Sequence, residues 1–470
     1  MRLLAELLGL GPARRPRGTA SSRLFLSAGT PTAEYVDVEE VEWLGVKTSI
    51  YVTAMRTVYV IDEVELPREA LEGLDDRTAY SALSRAEAEM ARRGVDPYAS
   101  PKEAVAIIEG KLRGRLRERA GAAAALLYRW YYAYGTITPL LLSRRLGITD
   151  VLVTLAGNYV EVESHRYGAG LATNLELADG DREHLRDVIS RRVVPLSAAR
   201  PFASRYDEQL QVRVTAIVPD VAPRPAYAFR VMNVTWTAPL FVAMGGAEPW
   251  QMAYLCAQWR RYRHVLAVGT PGSGKTSLIN AVLSCTQTKR RLAIIQSVPE
   301  LRVPQASFIA TERHAFGAGI SEVLMADLVQ KFGLRANSDV GINELLTEAD
   351  TRAFVTVAFA GFGAAATLHA TDVQEVLLRL RRLGVSEAEL EALLPRLYIP
   401  VMRREVTERG VRRRVAAIYA PRDGRHEPVT EGEALEDPEV REWARIIAEA
   451  ARSPALWSPE AWVSYLRQFD

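Results

Sequence analysis

Cysteine is scarce in this sequence, which contains only Cys256 and Cys285 among its 470 residues. Two cysteines at this separation match neither the ligand spacing of a zinc site nor the framework of a disulfide-stabilised secreted domain. We therefore expect both to be unpaired, small, buried side chains in a protein of a reducing compartment.

Long hydrophobic runs are also missing. The longest uncharged stretch covers residues 353–368 and is interrupted by Gly361 and Gly363. It is shorter than the roughly 20 residues that a membrane-spanning helix requires, so it predicts a buried helix leading into a strand. The apolar segment 1–10 is followed by Arg14, Arg15 and Arg17, whereas a signal peptide carries its cluster of positive charges first. We expect a tail there, with a short amphipathic anchor or docking helix as the alternative.

A large charge imbalance is absent as well. The 59 basic and 57 acidic residues leave a formal net charge of +2. Attraction of nucleic acid by overall charge is therefore excluded as an explanation of function. The hydrophobic fraction of 48% is that of an ordinary soluble protein, and the length accommodates two or three domains.

The order of patterns along the chain predicts an α/β fold. Alternation over 48–66 indicates a hairpin, and the capping box Ser100–Glu103 predicts a helix that runs to about Tyr132. Residues 148–232 read mainly as strands, and after a Pro- and Gly-rich linker the strands and helices alternate, as in a parallel sheet. The resulting segments are a flexible tail over 1–35, a variable region with a hairpin and helices over 36–125, a smaller α+β domain over 126–240, a linker over 241–250, an α/β domain over 251–420 and a helical extension over 421–470.

The strongest motif is a phosphate-binding loop of the pattern G-x-x-x-x-G-K-T, which follows the apolar strand 264–268 and precedes an apolar helix face. Its glycines let successive backbone N–H groups point at an anion, and the helix N-terminus adds a positive dipole end. The residues assigned to phosphate and nucleotide are Gly269, Thr270, Pro271, Gly272, Ser273, Gly274, Lys275, Thr276 and Ser277. Lys275 should reach the β- and γ-phosphates, and the Thr276 hydroxyl should bind Mg²⁺. No Asn-Lys-x-Asp guanine motif follows, which favours ATP over GTP.

With this loop placed, residues 125–420 resemble the type II/type IV secretion ATPases, with features of the archaeal branch. The motifs that carry the resemblance are Tyr134–Leu140, Ile148–Val151, Asn158–Val162, Pro299–Leu301 as the end of an aspartate box, Glu344 at the Walker B position, and Thr367–Ala370 as a histidine box. Their order along the chain agrees with that of the family.

The resemblance implies a C-terminal RecA-like domain, ATP and Mg²⁺ as cofactors, and Lys275, Glu300, Glu344 and His369 as catalytic residues. Arg213 and Arg230 stand where the family has strand arginines that face the nucleotide cleft. The family works as homohexamers at the cytoplasmic face of the cell membrane, on a polytopic membrane platform protein. It acts on pilins or secreted substrates indirectly, and nucleic acid is not an expected partner.

Several departures from the family pattern leave alternatives open. Gln296 and Ser297 replace the first two carboxylates of the aspartate box, and Asn343 and Leu346 replace the glycine and arginine of the Walker B box. Weaker positioning of the attacking water would follow, since positioning is most of phosphoryl-transfer catalysis. The alternatives to a motor are a nucleotide-gated structural paralogue with little hydrolysis, and a DNA-transfer motor suggested only by the basic hairpin over 402–415. Glu348 is a less favoured substitute for Glu344.

Overall fold

A computed structural model describes residues 34–63, 76–116, 119–155, 157–219, 221–232, 234–312, 323–407 and 410–469. The chain forms two compact units, which divide between Asn233 and Val234. This division lies a few residues before the linker predicted at 241–250. The tail predicted over 1–35 lies outside the described residues except at its last two positions.

The first unit is built on a nine-stranded sheet in the order β1-β2-β3-β6-β5-β4-β9-β8-β7. Its strands are β1 (Tyr35–Trp43), β2 (Val46–Thr53), β3 (Val58–Asp62), β4 (Ile148–Val153), β5 (Tyr159–Ser164), β6 (Gly168–Glu176), β7 (Phe202–Asp207), β8 (Val212–Ile217) and β9 (Ala226–Val231). Only the pairing of β3 with β6 is parallel among the described strands of this unit. The predicted hairpin is confirmed, because β2 and β3 pair antiparallel.

Helices of the first unit pack partly on one another. They are α1 (Asp76–Arg93), α2 (Pro101–Leu116), α3 (Ala120–Tyr132), α4 (Thr138–Leu142) and α5 (Asp179–Arg192). The single helix predicted from Ser100 to about Tyr132 is wrong, because α2 and α3 are separate helices. Ile108 of α2 and Leu127 of α3 are buried in the same core. The apolar faces of the two helices are therefore buried in one cluster.

The second unit contains an eight-stranded sheet in the order β12-β11-β13-β14-β10-β15-β16-β17. Its strands are β10 (His264–Gly269), β11 (Leu292–Gln296), β12 (Phe308–Thr311), β13 (Asp339–Ile342), β14 (Ala364–Leu368), β15 (Leu397–Thr407), β16 (Gly410–Arg422) and β17 (Arg425–Pro428). All neighbours from β12 to β15 are parallel, and β15, β16 and β17 pair antiparallel. The predicted mainly parallel sheet is confirmed.

Both faces of this sheet are covered. Along β10, Val265 and Ala267 belong to one core and Leu266 and Val268 to another, so every side chain of the strand is buried. Parallel strands buried on both faces read as continuous apolar runs, as this one does. The helices are α6 (Ala238–Ala243), α7 (Pro249–Arg260), α8 (Lys275–Leu283), α9 (Met325–Leu328), α10 (Glu348–Phe359), α11 (Val373–Arg382), α12 (Glu387–Leu393), α13 (Glu431–Glu436), α14 (Pro438–Ala451) and α15 (Pro459–Leu466).

The uncharged stretch and the C-terminal tryptophans have structural roles. Residues 353–368 supply most of α10 and all of β14, which confirms the predicted buried helix and strand. Trp443 and Trp462 are buried in the core that also contains α7, and the Trp462 indole N–H donates to the Ser284 carbonyl over 3.1 Å. No helix of the described residues has the length and apolarity to span a bilayer.

The expectation of two unpaired cysteines is wrong. Cys256 and Cys285 form a disulfide, with Cα atoms 5.7 Å apart and both side chains fully buried. Cys256 lies on α7, and Cys285 lies just beyond the end of α8. These two helices share one apolar core, which places the thiols side by side. A separation of 29 residues gave no local signal of this proximity.

Candidate functional site

The phosphate-binding loop joins the buried strand β10 to the helix α8. Gly272 and Gly274 have φ angles of 69° and 93°, in the left-handed region that glycine adopts at little cost. Gly274 is the N-cap of α8 and supplies no side-chain oxygen for the first helical N–H groups. These donors are oriented for an anion in front of the helix.

Gly269 is required by close packing at the start of the loop. A Cβ atom there would lie 2.5 Å from the Met402 carbonyl oxygen and 2.6 Å from Ser273 Oγ. Ser273 Oγ is buried without a hydrogen-bond partner in the structure, inside the loop that the sequence assigns to phosphate binding. Because unsatisfied buried hydroxyls are rare, this atom is consistent with a ligand-binding loop.

Lys275 is held in the loop by three acceptors. Its ammonium group donates to the Gly269 carbonyl over 3.0 Å and to the Thr270 carbonyl over 3.1 Å, and it lies 3.2 Å from His369 Nδ1. Burial lowers the pKa of Lys275 to about 8, although the charges of Glu344 and Glu300 oppose that shift. A lysine of this kind still carries its charge at pH 7.

His369 connects this lysine to Glu344. His369 follows β14 and Glu344 follows β13, and these strands are neighbours in the sheet. His369 Nε2 lies 2.6 Å from Glu344 Oε1. Burial and the neighbouring Lys275 charge lower the pKa of His369 below its ordinary value. The neutral ring at pH 7 therefore accepts from Lys275 at Nδ1, while its Nε2 lies beside the Glu344 carboxylate.

Thr276 and Glu300 form a second oxygen pair beside the loop. Thr276 Oγ1 donates to Glu300 Oε2 over 3.3 Å, and the Glu300 carbonyl accepts from Asn280 of α8 over 3.0 Å. Hydroxyl and carboxylate oxygens are the hard donors that Mg²⁺ prefers, and this ion is commonly held by one or two protein ligands plus phosphate oxygens. The donor set therefore fits Mg²⁺ beside a bound nucleotide.

Gln296 has a structural role. Its amide oxygen accepts from the Leu301 N–H over 2.8 Å, and its amide nitrogen lies 3.5 Å from the Leu301 carbonyl. The side chain is 1% exposed. Both polar atoms of the Gln296 side chain therefore contact the backbone of the loop that carries Glu300. The uncharged amide stabilises this loop and supplies no negative charge.

A polar network that the sequence reasoning missed supports Glu344. Asn343 Oδ1 accepts from the Ser297 N–H over 3.0 Å, and Asn343 Nδ2 donates to Ser297 Oγ over 3.1 Å. The Asn343 carbonyl accepts from Thr367 Oγ1 over 2.6 Å. The network ties the ends of β11, β13 and β14 together, next to Glu344 and His369. Polar residues at the ends of apolar strands were its only sequence signal.

The remaining candidates lie on other elements of the chain. Arg213 on β8 and Arg230 on β9 are directly opposite each other in the first unit. Arg213 Nε donates to Ser204 Oγ over 2.9 Å, and Arg230 Nε donates to Asp150 Oδ1 over 3.0 Å. Glu348, at the start of α10, lies against Gly384, whereas Glu344 lies beside His369. This geometry favours Glu344 over Glu348.

Comparison with known proteins shows that the loop, Glu344 and His369 lie in a segment that matches a protein family. The family described as Type II/IV secretion system protein matches residues 202–407, a range that includes Lys275, Glu344 and His369. A putative conjugal transfer protein of Mycobacterium tuberculosis is 28% identical over 318 residues, covering 63% of this chain and 87% of that protein.

Among solved structures, the chain is similar to two ATPases. The ATPase DotB of Legionella pneumophila is 18% identical with a TM-score of 0.42, covering 66% of this chain and 85% of DotB. The VirB11 ATPase of the Brucella suis type IV secretion system is 19% identical with a TM-score of 0.31, covering 58% of this chain and 93% of VirB11.

Proposed function

We propose that this chain, whose residues 202–407 match the Type II/IV secretion system protein family, is an ATP-hydrolysing motor of six identical subunits. The motor would power assembly of a type IV pilus, an archaellum-like filament or a secretion system at the cytoplasmic face of the cell membrane. The observation that carries the proposal is the chain of contacts from Lys275 through His369 to Glu344 at the phosphate-binding loop.

Each residue of that chain has a chemical role in the proposal. Lys275 stabilises the negative charge of the β- and γ-phosphates, and Glu344 orients a water in line with the γ-phosphate. His369 bridges these two groups, so a change in the contacts of Lys275 is transmitted to Glu344. Thr276 and Glu300 would hold Mg²⁺, which supplies charge neutralisation at the phosphates.

Arg213 and Arg230 are proposed to contribute positive charge to nucleotide binding, as the family resemblance implies. Both lie on adjacent strands of one sheet, which presents two cations on one surface. Arginines stabilise developing charge in phosphoryl transfer. The proposed partners are further copies of this chain, a polytopic membrane platform protein and, indirectly, a pilin or secreted substrate.

A second candidate function is a nucleotide-gated structural subunit with negligible turnover. Gln296 favours it, because this residue replaces the first carboxylate of the aspartate box and its amide is hydrogen-bonded to the Leu301 backbone. Leu346, 57% exposed, adds no charge where the family has an arginine. A DNA-transfer role, by analogy with the conjugal transfer relative, is less favoured. Two of the hairpin arginines make intramolecular contacts, Arg413 with Gly272 and Arg414 with Glu405.

Steady-state turnover separates these candidates. We expect the full-length protein to hydrolyse ATP in the presence of Mg²⁺ and to assemble into hexamers when nucleotide is present, as measured by phosphate release and light scattering. Removal of Mg²⁺ with EDTA should abolish turnover. Nucleotide-dependent assembly without phosphate release would reject the motor and support the structural subunit, whereas absence of nucleotide binding would reject both.

Nucleotide affinity should fall as the pH rises above about 8. The unliganded protein holds the pKa of Lys275 at about 8, and bound phosphate favours the charged ammonium. Between these two pKa values each added pH unit should weaken ADP binding by up to about tenfold, because binding takes up a proton. Titration calorimetry of ADP at pH 7.5 to 9.5 measures the effect.

Proton uptake provides a direct control for this linkage. At the upper end of the pH range, the apparent binding enthalpy should differ between buffers of different ionisation enthalpy. A Lys275→Arg protein retains its charge throughout and should bind without that dependence. Wild-type affinity that stayed constant across the range, with no proton uptake, would contradict a lowered lysine pKa.

A further inference from the structure

The basic hairpin formed by β15 and β16 lies against the phosphate-binding loop. A Cβ atom on Gly274 would lie 3.4 Å from Met402 Cε and 3.7 Å from Arg413 Cβ. Met402 and Arg413 are on different strands of the hairpin, so both strands contribute to the surface that supports the loop. Part of this basic hairpin therefore supports the phosphate-binding loop by packing, which its charge pattern did not predict.

Arg413 makes a specific contact with the loop backbone. Its Nε donates to the Gly272 carbonyl over 2.7 Å. In a planar trans peptide the carbonyl and the following N–H point in opposite directions. Fixing the Gly272 carbonyl toward Arg413 therefore turns the Ser273 N–H to the other side, where it donates to the Thr270 carbonyl over 3.2 Å.

On that other side lies the ammonium group of Lys275, the residue proposed to bind the reacting phosphates. The Thr270 carbonyl that accepts from Ser273 also accepts from the Lys275 ammonium over 3.1 Å. The Ser273 N–H and the lysine charge therefore converge on one region. Gly272, with a φ of 69°, offers little conformational resistance to rotation of this peptide unit. A flipped peptide would aim a carbonyl oxygen at the phosphates and repel them.

We propose that Arg413 is a positioning residue that fixes the peptide between Gly272 and Ser273, so that the Ser273 N–H faces the nucleotide phosphates. This inference rests on the proposed ATP-binding function. Arg404 lies directly across from Arg413 on β15, and like charges opposite each other in a sheet repel. An anion in the adjacent loop offsets that repulsion, so the hairpin also contributes favourable charge to nucleotide binding.

The test compares ADP binding by full-length variants in titration calorimetry. Arg413→Ala should bind Mg·ADP about tenfold more weakly, within the range measured for charge-assisted hydrogen bonds. Arg413→Lys, which keeps a cationic donor, should recover most of the affinity. In turnover assays, the rise in KM for ATP should exceed the fall in kcat in Arg413→Ala. A loop that is already in its binding conformation mainly increases the affinity for nucleotide.

Arg412→Ala is the matched control, because this neighbouring arginine points to the opposite face of β16 and is exposed. It should bind ADP as wild type does.

If Arg413→Ala fails to fold, Arg413→Met keeps the apolar stem over Gly274 and removes the donor. Wild-type affinity in Arg413→Ala or Arg413→Met, or an equal loss in Arg412→Ala, overturns the inference while leaving the ATPase proposal intact. A wild-type protein that binds no ADP rejects the ATPase proposal itself.

Discussion

Replacement of Glu344 by glutamine is expected to reduce ATP turnover by about a hundredfold or more, with little change in nucleotide affinity. The carboxylate is placed to orient the attacking water, and loss of a positioned acid or base typically lowers rates by about 10²–10⁴-fold. Glutamine has nearly the same shape and retains an amide oxygen beside His369 Nε2, which lies 2.6 Å from Glu344 Oε1. The measurement is single-turnover phosphate release with saturating Mg·ATP.

Lys275→Ala supplies the contrasting variant for that experiment. Its ammonium group contacts two loop carbonyls and His369, so its removal should abolish both binding and turnover. Glu348→Gln is the matched carboxylate control, because Glu348 lies against Gly384 and should be dispensable. If Glu344→Gln hydrolyses ATP at the wild-type rate while Glu348→Gln does not, the assignment of the water-orienting residue moves to Glu348.

The phosphate-binding loop could be predicted from sequence because its signal is local. Gly272, Gly274 and Lys275 are adjacent in the chain, and the flanking strand and helix are visible as short apolar patterns. His369 and Glu344 could be placed only through the family resemblance. They are remote from the loop in sequence, and only the parallel register of β10, β13 and β14 brings them to one edge of the sheet.

Other features escaped prediction for related reasons. Pairing of Cys256 with Cys285 depends on packing of two helices, and the clamp between Gln296 and Leu301 depends on the path of a loop. The division into the two helices α2 and α3 was missed because helical propensity is a weak guide that tertiary packing overrides. These errors share a cause. Hydrophobic periodicity predicts which face of a helix or strand is apolar, but it does not predict which other element packs on that face.

The first unit contains a buried ion pair that no sequence pattern indicated. Arg129 of α3 donates to both carboxylate oxygens of Asp62, over 2.8 and 2.6 Å, and Thr48 Oγ1 donates to the same carboxylate over 2.7 Å. The side chains of Arg129 and Asp62 are 4% and 2% exposed. The pair joins helix α3 to strand β3 at the end of the β2–β3 hairpin.

Asp62→Ala is expected to lower the free energy of unfolding of the first unit by about 3–5 kcal/mol, because it removes the carboxylate that accepts two hydrogen bonds from a buried guanidinium. Native-state hydrogen exchange of the β2 and β3 amides measures this loss without requiring the two units to unfold together. A protein with Asp62→Leu, Arg129→Met and Thr48→Val removes all three polar groups and should recover most of the stability, since apolar replacement of a buried pair is often neutral.

Equal destabilisation in the single and the triple variant would instead assign the effect to packing volume. An Asp62→Ala protein with wild-type exchange rates would mean that water or another group satisfies Arg129, and that the ion pair contributes specificity of helix placement rather than stability.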